Sequence, residues 1–245
     1  MQQFSIQALG DTAIKMKFFE NVSPELNKAI QLVCHKLELA QIDGVIEWVP
    51  AYDSVTIYYS PLVIFYDQLR QKITELMECK MNTSRVNSRL LFVPVCYGGN
   101  FGPDLNRVAA YNHCSIDDVI DLHQKPNYLV YMLGFLPGFP YLGGLDPAIA
   151  TPRLETPRPA TFAGAVGIAK EQTGIYPSSS PGGWNIIGKT PLQLFQKRQD
   201  KHSFLFQAGD YVRFYSVSES EFYSIQQQIK DETFHLNVTS VRDDA

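Results

Sequence analysis

Between residues 134 and 190 the chain concentrates 10 of its 16 glycines and 8 of its 15 prolines. Two stretches carry most of them, GFLPGFPYLGGLDP (134–147) and TGIYPSSSPGGWNIIG (173–188). Proline fixes φ and glycine opens backbone conformations closed to other residues, so these stretches build stiff, closely approached loops rather than long helices. The aromatic residues interleaved with them argue against disorder. Phe135, Phe139, Tyr141, Phe162, Tyr176 and Trp184 would expose a large apolar area if left in water. The expectation is a stiff, aromatic-lined mouth on a β scaffold, where binding sites concentrate.

The remaining composition narrows the class. With 245 residues, 45% of them hydrophobic and 19% charged, the chain can bury one large core or two modest ones. A net charge of −4 argues against nucleic acid or an anionic membrane held mainly by charge. No apolar run approaches the ~20 residues of a membrane span, and MQQFSIQALGD lacks the basic and apolar regions of a secretory signal. Cys34, Cys79, Cys96 and Cys114 lie far apart with no C-x-x-C, so they read as reduced thiols in a cytoplasmic protein.

Residues 1–85 read as a compact α/β unit. Alternation at Phe4, Ile6 and Ala8, a Gly10-Asp11 turn, and alternation at Ile14, Met16 and Phe18 predict two strands. Ser23-Pro24 opens a helix striped by Leu26, Ile30, Val33, Leu37 and Ala40. Strands over 45–49 and 55–59 follow. Ser60-Pro61 then predicts a second helix, striped by Leu62, Phe65, Leu69, Ile73 and Leu76. This order suggests two βαβ-like halves on one antiparallel sheet, with the polar stretch 79–89 as linker.

From residue 86 to 245 strands dominate, as in a barrel or sandwich. LLFVPVCY (90–97), YLVYMLGF (128–135), AVGIA (165–169), IIGKTPLQLF (186–195), FLFQ (204–207) and YVRFYSV (211–217) are strand candidates, with Gly209-Asp210 turning a hairpin between the last two. Two short helices follow the first of these strands, the second capped by Ser115 with Asp117 and Asp118 in its opening turn. A capping box of Ser218 and Glu221 starts a closing helix with Phe222, Ile225 and Ile229 on its stripe.

Few residues in this region suit chemistry. Arg153 and Arg158 flank prolines in TPRLETPRPA, and a guanidinium on so rigid a stretch suits capture of a carboxylate or phosphate; pairing with Glu155 is the alternative. His123 follows Ile116, Val119 and Ile120 at helical spacing, consistent with a packed imidazole or with a general base reaching adjacent loops. GWNIIGKT (183–190) fits the phosphate-loop pattern, but YPSSSPG is a poor strand before it and Pro191-led PLQLF is no helix after it, so the match is fortuitous. No metal-ligand spacing and no nucleophile triad appear. The residues describe a binding site without a self-sufficient catalytic apparatus.

YLVYMLGFLPGFPYLGGLDP, TPRLETPRPATFAGAVGIAKEQTGIYPSSSPGGWNIIGKTP and QAGDYVRF closely resemble the subunit-1 family of allophanate hydrolase-like proteins. That family includes the B subunit of 5-oxoprolinase and Kip-type inhibitors of a sporulation histidine kinase. Departures are modest: Phe162 stands where members often carry Pro, Ala165 where Ser is frequent, Lys170 where a small residue is usual and Lys189 where Arg is common. The resemblance implies an α+β chain, with a small α/β sandwich N-domain (1–85) and a cyclophilin-like β-barrel C-domain (86–245). It further implies two partners of 5-oxoprolinase, a paralogous C subunit and an A subunit. ATP is then used by the assembled complex to open 5-oxoproline, with neither ATP nor metal held by this chain alone. The candidates it leads to are His123 and Asp146 for catalysis, and Arg153, Arg158, Gln172, Gly182, Gly183 and Trp184 for substrate. Phe139, Tyr141 and Leu142 are candidate exposed anchors for a partner, which in the alternative reading is a sensor histidine kinase. Activity on a urea-derived carboxylate such as allophanate is the other alternative.

Overall fold

The computed structural model describes residues 3–79, 88–197 and 203–241. The chain divides into two compact units, Met1–Val86 and Asn87–Ala245. Most of the expected linker, 80–87, lies outside the described residues, whereas Ser88 and Arg89 already belong to the first strand of the second unit.

The first unit runs β1 (Phe4–Ala8), β2 (Ala13–Phe18), α1 (Pro24–Ala40), β3 (Val45–Pro50), β4 (Ser54–Tyr59) and α2 (Tyr66–Glu78). Its sheet has the order β1-β2-β4-β3 and every pairing is antiparallel. The halves are therefore hairpin-plus-helix units, not the expected βαβ-like ones. Ile14, Met16, Val55 and Ile57 pack against Leu26, Ile30, Leu37, Leu69 and Ile73. Ser23 caps α1 as expected, accepting from the Leu26 N–H at 3.2 Å, but Ala40 falls outside the buried stripe. The second Ser-Pro starts no helix. The N–H groups of Val63 and Ile64 close a turn on the Ser60 carbonyl, and α2 begins at Tyr66 with the Gln68 side chain accepting from the Phe65 N–H. Leu62 is left 96% exposed and Phe65 is also at the surface.

Lys36 sits in the apolar stripe of α1, yet it is buried. Its ammonium donates to the carbonyls of Leu76 (2.9 Å), Met77 (3.3 Å) and Cys79 (2.9 Å), using all three protons to close the end of α2. Lys36→Met is expected to lower the stability of this unit by about 2 kcal/mol, since three carbonyls lose a charged donor. Urea unfolding followed by Trp48 fluorescence checks this; an unmoved midpoint contradicts it.

The second unit contains β5 (Ser88–Tyr97), α3 (Leu105–Tyr111), α4 (Ile116–Gln124), β6 (Tyr128–Leu133), β7 (Pro140–Gly143), a short 3-10 turn (Pro147–Ile149), β8 (Ala165–Ala169), β9 (Gln172–Ile175), β10 (Asn185–Lys189), β11 (Tyr211–Ser216), α5 (Glu219–Lys230) and β12 (Val238–Val241). Seven strands close a barrel in the order β5-β10-β8-β9-β7-β6-β11, and β12 adds to the first half of β5. β11 pairs with β5 in parallel and with β6, while FLFQ bridges to Phe195, so Gly209-Asp210 turns no hairpin. The candidates PLQLF and FLFQ contribute only an isolated bridge, Phe195 to Phe204. β7, β9 and β12 are strands beyond those expected.

Side chains from every barrel strand fill the interior, among them Val93, Val130, Leu142, Val166, Ile175, Ile187 and Phe214. α5 has the expected capping box, with the Glu221 carboxylate accepting from the Ser218 N–H at 2.7 Å. The four cysteines are free, and among the described residues no helix is long and apolar enough to cross a membrane.

Candidate functional site

Strand alternation gives the barrel wall two faces. Val166 and Ile168 of β8, Ile175 of β9 and Leu142 of β7 point inward. Their neighbours point outward, where Ala165, Ala169, Trp184, Ile186, Phe139 and Tyr176 form a separate cluster joined by Tyr141, Phe162 and Leu136. The Gly/Pro segment thus does not ring a mouth. It supplies four barrel strands of its own and lays its aromatic residues on the outer face of β7, β9, β8 and β10.

Small residues make the floor of this platform. A Cβ on Gly174 would stand 3.0 Å from the Phe139 ring, the Trp184 ring and the Pro140 carbonyl, so any larger residue would push these rings off β9. The rings contact edge to face: Phe139 meets Trp184 at 5.4 Å, Tyr176 at 5.3 Å and Tyr141 at 5.1 Å between centroids. A Cβ on Gly182 would lie 2.5 Å from the Tyr176 hydroxyl, which tucks directly beneath that backbone. Burial raises the pKa of Tyr176; the Trp184 N–H that it accepts and the nearby Arg153 and Arg158 oppose the shift.

The two arginines differ in commitment. Arg158 donates to Asp104 at 2.5 Å and to the Trp184 carbonyl at 3.4 Å, while its backbone exchanges hydrogen bonds with Gly182. Asp104, itself buried, also accepts from the Ile186 N–H at 2.6 Å. Arg153 instead lies 6.0 Å from the Trp184 ring centroid as a cation–π partner. Its guanidinium makes no ion pair with any described residue. The Gly182 N–H is bound to the Arg158 carbonyl, and the Gly183 carbonyl accepts from Leu154. Gln172 opens β9 opposite Ala169, on the outward face.

His123 lies elsewhere, inside the barrel and fully buried. Its imidazole stacks on Phe214 at 4.6 Å, with Tyr97 at Nδ1 (2.8 Å) and Thr173 at Nε2 (2.9 Å). Thr173 spends its own proton on the Gly167 carbonyl, so it accepts from Nε2–H, and Nδ1 accepts from the Tyr97 hydroxyl. Burial lowers the His123 pKa to about 3. Asp146 accepts from the Ala148 N–H at 2.9 Å and caps the 3-10 turn. The structure therefore gathers Arg153, Arg158, Gln172, Gly182, Gly183, Trp184, Phe139 and Tyr141 around one outer face, and leaves His123, Asp146 and the interior Leu142 apart from it.

The expected exposure of the anchors needs correction. Phe139 and Leu142 are buried and Tyr141 is half-buried, because β7 packs both faces. The exposed ring is Phe135, at 63% exposure and φ +63°, stacked edge-on against Phe139. Asp104, Arg107 and Asn185 also escaped sequence reasoning. Asp104 reads as an ordinary loop carboxylate, and nothing in the sequence ties it to Arg158, 54 positions away.

The family described as carboxyltransferase domain, subdomain C and D, matches residues 4–205. The chain belongs to this family. The match takes in every outer-face residue named above and ends before β11 and α5. The chain is 39% identical to the 5-oxoprolinase B subunit of Bacillus subtilis (strain 168) over 236 residues, 92% of this chain and 98% of that one. It is 41% identical to the 5-oxoprolinase B subunit of Haemophilus influenzae over 184 residues, 75% of this chain and 85% of that one. The solved urea amidolyase of K. lactis matches 98% of this chain, and 16% of its own, at a TM-score of 0.79 and 21% identity, a likeness of fold alone. The expected fold class holds in this carboxyltransferase C and D chain: a closed seven-stranded barrel forms the second unit, and a four-stranded sheet packed with two helices forms the first.

Proposed function

We propose that this chain is the B subunit of a 5-oxoprolinase, a non-autonomous part of an ATP-consuming assembly. Its A and C subunits complete the machinery that opens 5-oxo-L-proline to L-glutamate. Identity with relatives of that name over 89–92% of the chain carries the reading. The outer face suits such a substrate. Arg153, which lies over the buried Trp184 and makes no ion pair with any described residue, offers a fork of donors to the substrate carboxylate, and the half-buried Tyr141 offers part of its ring to a five-membered ring. A lactam resists water; transfer of a phosphoryl group from ATP to its carbonyl oxygen creates a leaving group. Water then attacks that carbon, the C–N bond breaks as the nitrogen takes up a proton, and the resulting acyl phosphate is cleaved by a second water to give the carboxylate and free phosphate. This chain binds and orients, and Phe135 presents the exposed ring to the neighbouring polypeptide.

Mixing the purified chain with the A and C subunits, ATP and each of 5-oxo-L-proline, allophanate and urea tests the reading. Glutamate should form from 5-oxo-L-proline only when all three polypeptides are present. Turnover of allophanate instead, or turnover by the lone chain, would overturn it. Arg153→Gln should raise the KM for 5-oxo-L-proline at least about 10-fold, since the carboxylate loses a charged partner.

A further inference from the structure

Arg153 is presented by a segment pinned on both sides. After it, the Leu154 N–H donates to the Gly183 carbonyl at 2.7 Å. Before it, the Pro152 carbonyl accepts from Nδ2 of Asn185 at 2.8 Å. Asn185 is fully buried at the start of β10, and the same Nδ2 donates to the Ile168 carbonyl at 3.1 Å. Its Oδ1 accepts from Nε of Arg107 at 2.9 Å. Arginine only donates, so Arg107 forces the oxygen toward α3 and the amino group toward Pro152. One amide thereby joins α3, β8, β10 and the segment that carries Arg153.

We propose that Asn185, oriented by Arg107, is a positioning residue that holds Arg153 over Trp184. The proposal rests on the reading of Arg153 as the carboxylate-binding group. Asn185→Asp keeps size and shape and keeps a partner for Arg107, but turns an acceptor toward the Pro152 and Ile168 carbonyls. In the reconstituted complex this variant should raise the KM for 5-oxo-L-proline about 10-fold with kcat changed less than about twofold, because carboxylate binding serves ground and transition states alike. Adding it to Arg153→Gln should raise KM no further. A wild-type KM in folded Asn185→Asp, or KM effects that multiply in the double variant, overturns the proposal. If Asn185→Asp does not fold, Arg107→Gln at the exposed end of the link should still raise KM about threefold and show the same non-additivity; an unchanged KM overturns it. If the wild-type assembly opens no 5-oxo-L-proline, the functional reading fails, and the link is then read from Trp184 emission in a Trp48→Phe background. Asn185→Asp should shift that emission as Arg153 leaves the ring, and unshifted emission counts against the link.

Discussion

Acidification from pH 6.5 toward pH 3 is expected to remove up to about 5 kcal/mol of stability from the barrel through His123 alone. The folded barrel holds this imidazole neutral, with its pKa lowered to about 3 by burial, while the unfolded chain protonates it near the ordinary value of 6.5. Between those values the unfolded state binds the extra proton. Stability therefore rises with pH across the window: it is complete above pH 6.5 and is lost progressively as pH falls toward 3. Neither hydrogen-bond partner offsets a charge there, since Tyr97 and Thr173 bring only hydroxyl oxygens and the stacked neighbour is Phe214. Because carboxylates also titrate in this range, the informative quantity is the difference between wild type and His123→Gln. The variant should be less stable at pH 7, yet its urea midpoint, followed by Trp184 fluorescence, should fall less steeply with acid, so that the two curves converge. Parallel curves would exclude His123 as the titrating group.

Arg158→Ala is expected to lower barrel stability by about 3 kcal/mol, because it strands a carboxylate in a nearly dry site. The Asp104 side chain is only 10% exposed and its partner 29%, so water screens the pair poorly. Asp104 also receives the Ile186 N–H, which ties it to β10 and keeps it from turning toward solvent. Substituting Asp104→Asn in the Arg158→Ala background should restore about 1 kcal/mol by removing the stranded charge. A thermal or urea midpoint for Arg158→Ala equal to that of wild type would show that the pair contributes nothing. The arginine that stays available to an anionic ligand is then Arg153, although the two look equivalent in TPRLETPRPA.

Local signals in the sequence were legible wherever one short stretch holds both partners. Ser23, Ser115 and Ser218 each cap the helix that their spacing predicts. The second Ser-Pro misled, because α2 is opened by Phe65 at the N-cap, from whose N–H the Gln68 side chain accepts, and a helix begun at Pro61 would have had to bury Leu62 and Phe65, both of which are exposed. β7 and β9 hid because PYLG and QTGI carry too few branched side chains to alternate visibly; their neighbours in the ladder hold them. Leu194 and Phe206 are buried as the pattern of PLQLF and FLFQ requires, yet those segments pair through one bridge only. The aromatic residues of the platform were all visible in the sequence, but the side of the barrel they occupy was not. That depends on Gly174 and Ala165 pointing outward, a register decided by strands far along the chain.

Strand β5 has a consequence for how this protein is made. It is the earliest barrel strand to leave the ribosome, yet its partners among the described residues are β10, β11 and β12, the last three. For several seconds of translation, at roughly 5–20 residues per second, a ten-residue apolar ribbon waits with both hydrogen-bonding edges bare. Ring closure must await nearly the whole polypeptide, so truncated products and slow nascent chains of this protein are natural clients for chaperones and natural seeds of aggregates.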